Sequence, residues 1–212
     1  MSEQTLHQSV MLNEVVEALN PVDQGFYLDA TFGNGGYSRA ILEAANCTVL
    51  AIDRDPEAIE RGAKILPKYR QRLHLMEGCF SNMKALLNEH LNDFTELNGA
   101  VFDLGVCSTQ LDQPERGFSF RSEGPLDMRM SKSGQSAADV VMRAEESELA
   151  TILWKYGEER AARRIAKAIC RARNDTNIVS TTQLAKIIHG VMPAKKPGQI
   201  DPATRSFQAL RI

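Results

Sequence analysis

The stretch Leu28-Asp-Ala-Thr-Phe-Gly-Asn-Gly-Gly-Tyr-Ser38 decides the fold class of this 212-residue chain. An apolar run from Phe26 to Ala30 predicts a strand that ends near an acid, and glycines then lead into a predicted helix from Tyr37 to Ala45. Glycines at such a turn let the backbone approach a ligand closely, and the start of the helix offers unpaired N–H groups. The stretch therefore predicts a ligand-binding strand–turn–helix unit.

Outward from this turn, short apolar runs alternate with amphipathic segments. Further strands are predicted at 48–52, 73–76 and 100–104, and further helices at 56–65 and 82–91. Strands that alternate with helices imply right-handed βαβ units and a parallel sheet, with a ligand crevice at the carboxyl ends of the strands. We therefore predict an α/β, Rossmann-like fold.

The second half of the chain has a different pattern. A long stretch rich in Gly, Pro, Ser and charge covers 105–135, and helical patterns follow at 137–143, 147–154, 158–173, 181–191 and 202–212. We interpret the chain as three parts. Residues 1–112 form the N-terminal part of an α/β domain, 113–200 a loop and helical substrate-recognition subdomain, and 201–212 the start of a helix that returns to the first domain.

Composition is that of a globular protein, with 43% hydrophobic and 25% charged residues. No stretch approaches the ~18–20 uninterrupted apolar residues of a membrane span, and the first residues lack the features of a signal peptide. We therefore expect a cytoplasmic protein without a membrane partner. The four cysteines and four histidines are scattered without a ligand-like spacing, so no metal site is predicted.

The net charge of −2 conceals an asymmetry between the halves. Residues 1–100 carry 8 basic against 14 acidic side chains, whereas 155–212 carry 12 against 4. A basic half indicates either a polyanionic partner or an unevenly charged, solvated surface. A basic stripe on the predicted helix 158–173 favours contact with an RNA backbone.

The second predicted strand ends in Asp53, 18 residues after Gly35. A carboxylate at this position can accept hydrogen bonds from both hydroxyls of a ribose. A dinucleotide would need a third glycine where Ser38 stands, and Asp29 would repel its pyrophosphate. Asp29 suits the positively charged amino end of S-adenosylmethionine, so this cofactor is favoured over NAD(P). A glycine turn without any ligand is the remaining alternative.

Aromatic and basic side chains interleave on the long loop. Phe118 and Phe120 lie among Arg116, Arg121 and Arg129. Such a combination can stack on an unpaired base and pair with phosphates, or the rings can simply pin the loop to the core.

Several ordered motifs together resemble the RsmH (MraW) family, bacterial methyltransferases that act on cytidine N4 in small-subunit ribosomal RNA. They are Thr31-Phe-Gly-Asn-Gly-Gly36, Ile52-Asp-Arg-Asp-Pro56, Asp103-Leu-Gly-Val106, Glu115-Arg-Gly-Phe-Ser-Phe120, Gly124-Pro-Leu-Asp-Met-Arg-Met130 and Tyr156-Gly-Glu-Glu-Arg160. The resemblance implies a Rossmann-like S-adenosylmethionine-dependent methyltransferase fold with a helical inserted subdomain. It also implies small-subunit ribosomal RNA, or the assembled small subunit, as partner. By resemblance, the cofactor contacts fall on Gly35, Gly36, Tyr37, Asp53, Phe80, Asp103 and Gln110, with Phe80 against the adenine.

Three departures accompany the resemblance. Tyr37 stands where the family usually has histidine, and Cys107 where it usually has serine. Family members also continue beyond the position of Ile212, so the final strands of the sheet are expected to be absent from this chain.

For the chemistry, our hypothesis is that Asp103 accepts the hydrogens of the target amine as the catalytic residue. A rival role for Cys107, attack on the cytosine ring, is disfavoured because a valine precedes it where such enzymes typically have proline. An NAD(P)-linked oxidoreductase and a non-catalytic RNA-binding fragment stay open as alternatives.

Overall fold

The computed structural model describes residues 9–69, 71–90, 96–194 and 198–212. The chain divides into two compact units, Met1–Cys107 and Ser108–Ile212. The predicted three-part division, with boundaries after residues 112 and 200, stays an interpretation of the sequence.

The first unit is built on a parallel sheet with the strand order β3-β2-β1-β4. The strands are β1 (Phe26–Asp29), β2 (Thr48–Asp53), β3 (Leu73–Glu77) and β4 (Gly99–Val101). All four predicted strands and the α/β class are confirmed, but β4 ends at Val101 and not at residue 104. The ladder stops there because the backbone N–H of Asp103 donates to the Thr31 hydroxyl at 2.7 Å.

Five helices flank this sheet among the described residues. They are α1 (Leu12–Leu19), α2 (Gly36–Ala44), α3 (Pro56–Ala63), α4 (Leu66–Tyr69) and α5 (Met83–His90). The sequence analysis missed the short α1, which is bounded on both sides by left-handed residues, Met11 and Asn20. The start of α3 follows from local chemistry, because Asp55 caps the N–H of Glu57 at 3.0 Å and Pro56 occupies the first turn.

The sheet has a core on each face. Tyr27, Val49 and Ala51 pack with Ile41 and Leu42 of α2 on one side. Alternate strand residues, Phe26, Leu28, Leu50 and Ile52, form the other core, against which Leu86 and Leu87 of α5 pack. Because both faces are covered at the centre of the sheet, β1 and β2 are apolar almost to their last residues and do not alternate with polar residues. β3 is less covered, and His74 and Glu77 are exposed in it.

The second unit is helical in its described part. Its helices are α6 (Ser108–Asp112), α7 (Ala137–Arg143), α8 (Glu146–Gly157), α9 (Ala162–Asp175), α10 (Thr181–Val191) and α11 (Thr204–Arg211). Capping boxes at Ser136 with Asp139 and at Ser180 with Gln183 begin α7 and α10 at the predicted residues. In neither unit is any described helix both long and apolar enough to cross a membrane.

Helix α9 begins four residues later than the sequence predicts. Glu158 has a left-handed backbone with φ of 50° and ends α8, and the Glu159 carboxylate then accepts a bond from the Ala161 N–H at 2.8 Å. The buried face of α9 consists of Ala162, Ile165, Ala166 and Ile169. Four of its basic side chains remain exposed, as the sequence predicts: Arg163, Arg164, Lys167 and Arg171.

The long loop before α7 is packed inside the second unit. Phe118 is buried, and the ring of Phe120 contacts Phe207 with centroids 4.7 Å apart. Arg116 is buried and donates to the carbonyls of Arg129 and Met130, while the Arg129 guanidinium pairs with Asp127 at 2.6 Å. These groups hold the loop together, so the alternative in which the rings pin the loop to the core is the one that the structure supports.

Candidate cofactor site

Asp53 and the glycine loop meet at the carboxyl ends of β1 and β2. The Gly33 N–H donates to one oxygen of the Asp53 carboxylate at 2.7 Å, and the Asp55 N–H donates to the other at 2.9 Å. Each oxygen retains a further lone pair for a ligand hydroxyl. Burial raises the pKa of Asp53, and the two N–H bonds oppose that rise. The carboxylate is therefore oriented by the backbone before any ligand binds.

The loop itself requires glycine at two positions. Gly33 and Gly35 have φ of 54° and 73°, in the left-handed region that side chains disfavour. A Cβ on Gly35 would also lie 2.7 Å from the ring of Phe32. Helix α2 begins directly afterwards at Gly36, so its first N–H groups lie beside the loop.

Asp29 is placed differently from the sequence expectation. Its side chain is fully buried and accepts three bonds, from the N–H of Thr31 at 3.2 Å, the N–H of Ser38 at 3.2 Å and the Ser38 hydroxyl at 2.7 Å. Burial raises the pKa of Asp29 to about 6, although these bonds oppose the rise. The expected contact with the amino end of a ligand is therefore wrong, because Asp29 is enclosed and fixes the loop to α2.

Asp103 lies beside the first turn of α2. The Tyr37 hydroxyl donates its single hydrogen to the Val10 carbonyl at 2.6 Å, and its oxygen lies 3.3 Å from the Asp103 carboxylate. Burial, followed by the negative charge of Asp103, raises the pKa of Tyr37 to about 12, so the phenol stays protonated. Thr31, which the sequence analysis did not single out, fixes the backbone of Asp103 through its hydroxyl. Thr31 could have been recognised from the sequence, because it is the first residue of the glycine-rich motif that ends at Gly36.

Two aromatic rings lie exposed near the same strand ends. Phe80 is 37% exposed and Phe102 is 42% exposed, and their centroids are 5.9 Å apart in an edge-to-face arrangement. Phe80 is one of the predicted site residues, whereas Phe102 was missed. The signal for Phe102 is its position at the end of a predicted strand directly before Asp103.

The seventh predicted residue belongs to the other unit. Gln110 lies in α6 of the second unit with its side chain buried, whereas Gly35, Gly36, Tyr37, Asp53, Phe80 and Asp103 all lie in the first unit. The thiol of Cys107 is partly exposed. Among the described residues, no cluster of three or more His, Cys, Asp or Glu side chains is arranged to hold a metal ion.

Comparison with known proteins gives one consistent family. Residues 4–212 match the model of the MraW methylase family. Ribosomal RNA small subunit methyltransferase H of Acidiphilium cryptum is 56% identical over 212 residues, which cover 100% of this chain and 67% of that protein. The proteins of the same name from Granulibacter bethesdensis and Rhodospirillum rubrum are 55% and 52% identical, over 97% and 100% of this chain and 61% and 64% of their own lengths. The chain thus spans about three fifths to two thirds of the length of these relatives.

Proposed function

We propose, because this chain belongs to the MraW methylase family, that it transfers a methyl group from S-adenosylmethionine to the N4 amine of a cytidine in small-subunit (16S) ribosomal RNA. The name of the relatives, ribosomal RNA small subunit methyltransferase H, supports the substrate class. The observation that carries the proposal is the pre-oriented Asp53 carboxylate, held by the Gly33 N–H at 2.7 Å beside the glycine loop.

The first unit offers groups for the ribose and for the adenine of the cofactor. Asp53 accepts the ribose hydroxyls through the lone pairs that its two backbone bonds leave free. The exposed rings of Phe80 and Phe102 provide apolar surface for the adenine. Gly35 and Gly36 allow the backbone to approach closely. By family resemblance, we assign Tyr37 to the cofactor contacts of this unit. Gln110, which belongs to the second unit, is assigned as a cofactor contact on family resemblance alone.

When bound, S-adenosylmethionine would supply a methyl group from its sulfonium sulfur. The amine nitrogen would bond to the methyl carbon as the S–C bond breaks in line with it, the thioether would leave, and the nitrogen would then release one proton. Cytidine N4 is a poor nucleophile because its lone pair is delocalised into the ring. The Asp103 carboxylate accepts hydrogen bonds from the amine, which favours a more tetrahedral nitrogen with a localised lone pair. The Thr31 hydroxyl fixes the backbone of Asp103 by accepting its N–H at 2.7 Å, and the Tyr37 hydroxyl lies 3.3 Å from the carboxylate. Catalysis is then chiefly positioning, with the target base unstacked to reach the site.

The hydrogen bond that Ser38 forms disfavours the alternative of an NAD(P)-linked oxidoreductase. A dinucleotide loop needs a third glycine there for close packing of helix and strand. In this chain the Ser38 hydroxyl occupies that place and bonds to the buried Asp29 at 2.7 Å. The loop is therefore fixed by a side-chain contact that the dinucleotide fingerprint does not contain.

Mass mapping of methylated nucleosides tests the proposal. The chain is incubated with undermethylated small ribosomal subunits, or with free 16S RNA in a second arm, and with isotope-labelled S-adenosylmethionine. We expect label in N4-methylcytidine, and much less of it with the Asp103→Asn variant. A methyl group on cytosine C5 would contradict the mechanism. RNA binding without any methyl transfer would support the non-catalytic alternative.

A further inference from the structure

The only tryptophan of the chain lies on the surface of the second unit. Trp154 belongs to α8 and is 62% exposed, although its neighbour Leu153 is fully buried. An indole is large and apolar, and this one is left in contact with water. One exposed ring is ordinary by itself, but an aromatic ring beside a positively charged groove is the combination that binds single-stranded nucleic acids.

Such groups do surround Trp154. Two open cavities share Trp154, Arg160 and Arg205 in their walls, and the smaller, of about 450 Å³, is otherwise lined by Lys155 and Glu158. The larger cavity, of about 1490 Å³, continues along the starts of α8 and α9. We call the joined cavities the Trp154 groove. The smaller one is comparable to sites of about 300–1,000 Å³ that hold single small ligands.

The groove is positive around the indole. The smaller cavity has three cationic side chains and one acidic one. Arg205 donates to the Glu158 carbonyl at 3.4 Å, and Arg164 contacts the Met192 sulfur at 3.5 Å. Neither contact neutralises a charge. Within the part of the chain that the structure describes, Arg160 and Arg163 form no ion pair.

Of the acids that line the groove, Glu158 lies at this positive end, where three cations outnumber it. The other three acids lie away from this end or are engaged elsewhere. Glu145 and Glu146 line the larger cavity at the start of α8, and Glu159 is buried with its carboxylate bonded to the Ala161 N–H. The first turn of α9 carries no acid and has Arg163 and Arg164 at the positive end of the helix dipole. An anion in the groove would relieve this repulsion.

We propose that the Trp154 groove binds an unpaired nucleotide of the RNA substrate, with the base stacked on the indole and its phosphates against Arg160 and Arg205. The inference deepens the proposed function and rests on it. Stacking on an aromatic face is tolerant of sequence, and arginine matches the geometry of phosphate. Base faces are accessible only in single strands, so the groove selects unpaired RNA over a duplex. The excess of unpaired cations next to the ring favours RNA over a protein partner.

Trp154 is itself the reporter for the test. A fluorescein-labelled decauridylate, alone or annealed to its complement, is titrated into the full chain while indole emission and fluorescein anisotropy are recorded. We expect saturable quenching by the single strand at the same midpoint as the anisotropy rise, and weaker binding of the duplex. Trp154→Ala should weaken binding by roughly fivefold or more. Arg160→Gln should lower the salt slope of log K by about 0.7. Lys186→Gln, an exposed residue outside both cavities, is the matched control and should change neither.

Three results would overturn the inference. Anisotropy that rises without indole quenching would place the RNA elsewhere on the chain. Absence of binding would show that the groove does not take RNA. Quenching that depends on protein concentration alone would indicate a second copy of the chain as the occupant. Binding of S-adenosylhomocysteine, measured by calorimetry, is unaffected by each of these results and reports separately on the proposed cofactor site.

Discussion

Asp29→Asn should change how the stability of the first unit depends on pH. Asp29 is fully buried at the end of β1, and burial raises the pKa of its carboxyl from 3.8 to about 6. The folded protein therefore holds a proton at this site over a pH range in which the unfolded chain has lost it. Asparagine has nearly the same shape and does not titrate, so the substitution removes this dependence.

The sign follows from the direction of the shift. Since the folded pKa is the higher one, the stabilising contribution is complete below about pH 4 and is lost as pH rises through about 6. A pKa difference of this size corresponds to about 3 kcal/mol. The amide can no longer accept from all three donors of the loop, which costs about 1–3 kcal/mol at every pH. The variant should thus be less stable than the parent at pH 4.5 and nearly equal to it, or more stable, at pH 7.5.

Urea unfolding at several pH values between 4.5 and 7.5 measures this difference. Circular dichroism follows the whole chain, and Trp154 emission follows the second unit as an internal reference. Acids that do not interact with Asp29 titrate equally in both proteins and cancel in the comparison; Asp53 is the acid whose charge acts on Asp29. Asp112→Asn, at an exposed acid, is the control and should show a difference near zero throughout. A constant difference between Asp29→Asn and the parent from pH 4.5 to 7.5 would refute the reasoning.

Three further substitutions test other contacts. Phe102→Ala should weaken S-adenosylhomocysteine binding about two- to tenfold in calorimetry, because the adenine loses an aromatic contact of about 0.5–1.5 kcal/mol. An unchanged dissociation constant would show that Phe102 does not belong to the site. Cys107→Ser should retain methyl transfer in the nucleoside assay, because the amine itself attacks; lost transfer with intact cofactor binding would revive the thiol mechanism. Arg173→Met should lower the free energy of unfolding by about 1.5–3 kcal/mol, because Arg173 donates to the last carbonyls of α7, those of Val141 and Ala144, at 2.9 and 2.7 Å. Lys186→Met should change that energy by less than about 0.5 kcal/mol in the same urea titration, and an equal loss in both variants would show that the two bonds contribute nothing.

The elements that follow from local patterns could be predicted from the sequence. Strands β1 and β2 are buried on both faces, so each appears as an uninterrupted apolar run. Helices α7 and α10 begin at capping boxes, which are contained in four consecutive residues. The glycine loop was recognisable because Gly33 and Gly35 must adopt a positive φ.

Features that depend on distant contacts were not predictable. The end of β4 is set by the bond from Asp103 to Thr31, which is remote in the chain. The predicted contact of Asp29 with a ligand was wrong because a carboxylate at a strand end can point outward or inward. The hydrogen bond from the Ser38 hydroxyl holds it inward. Trp154 and Arg205 belong to α8 and α11, and only the packing of these two helices brings them to one groove.

Calorimetric titration with S-adenosylhomocysteine and, separately, with NADPH tests the central claim most directly. We expect S-adenosylhomocysteine to bind at one site per chain and NADPH not to bind. Asp53→Ala should weaken the first affinity by about tenfold or more, because the ribose loses a charged acceptor of about 1.5–3 kcal/mol. Circular dichroism of the variant verifies that it is folded. Binding of NADPH in place of S-adenosylhomocysteine, or an affinity that Asp53→Ala leaves unchanged, would contradict the account.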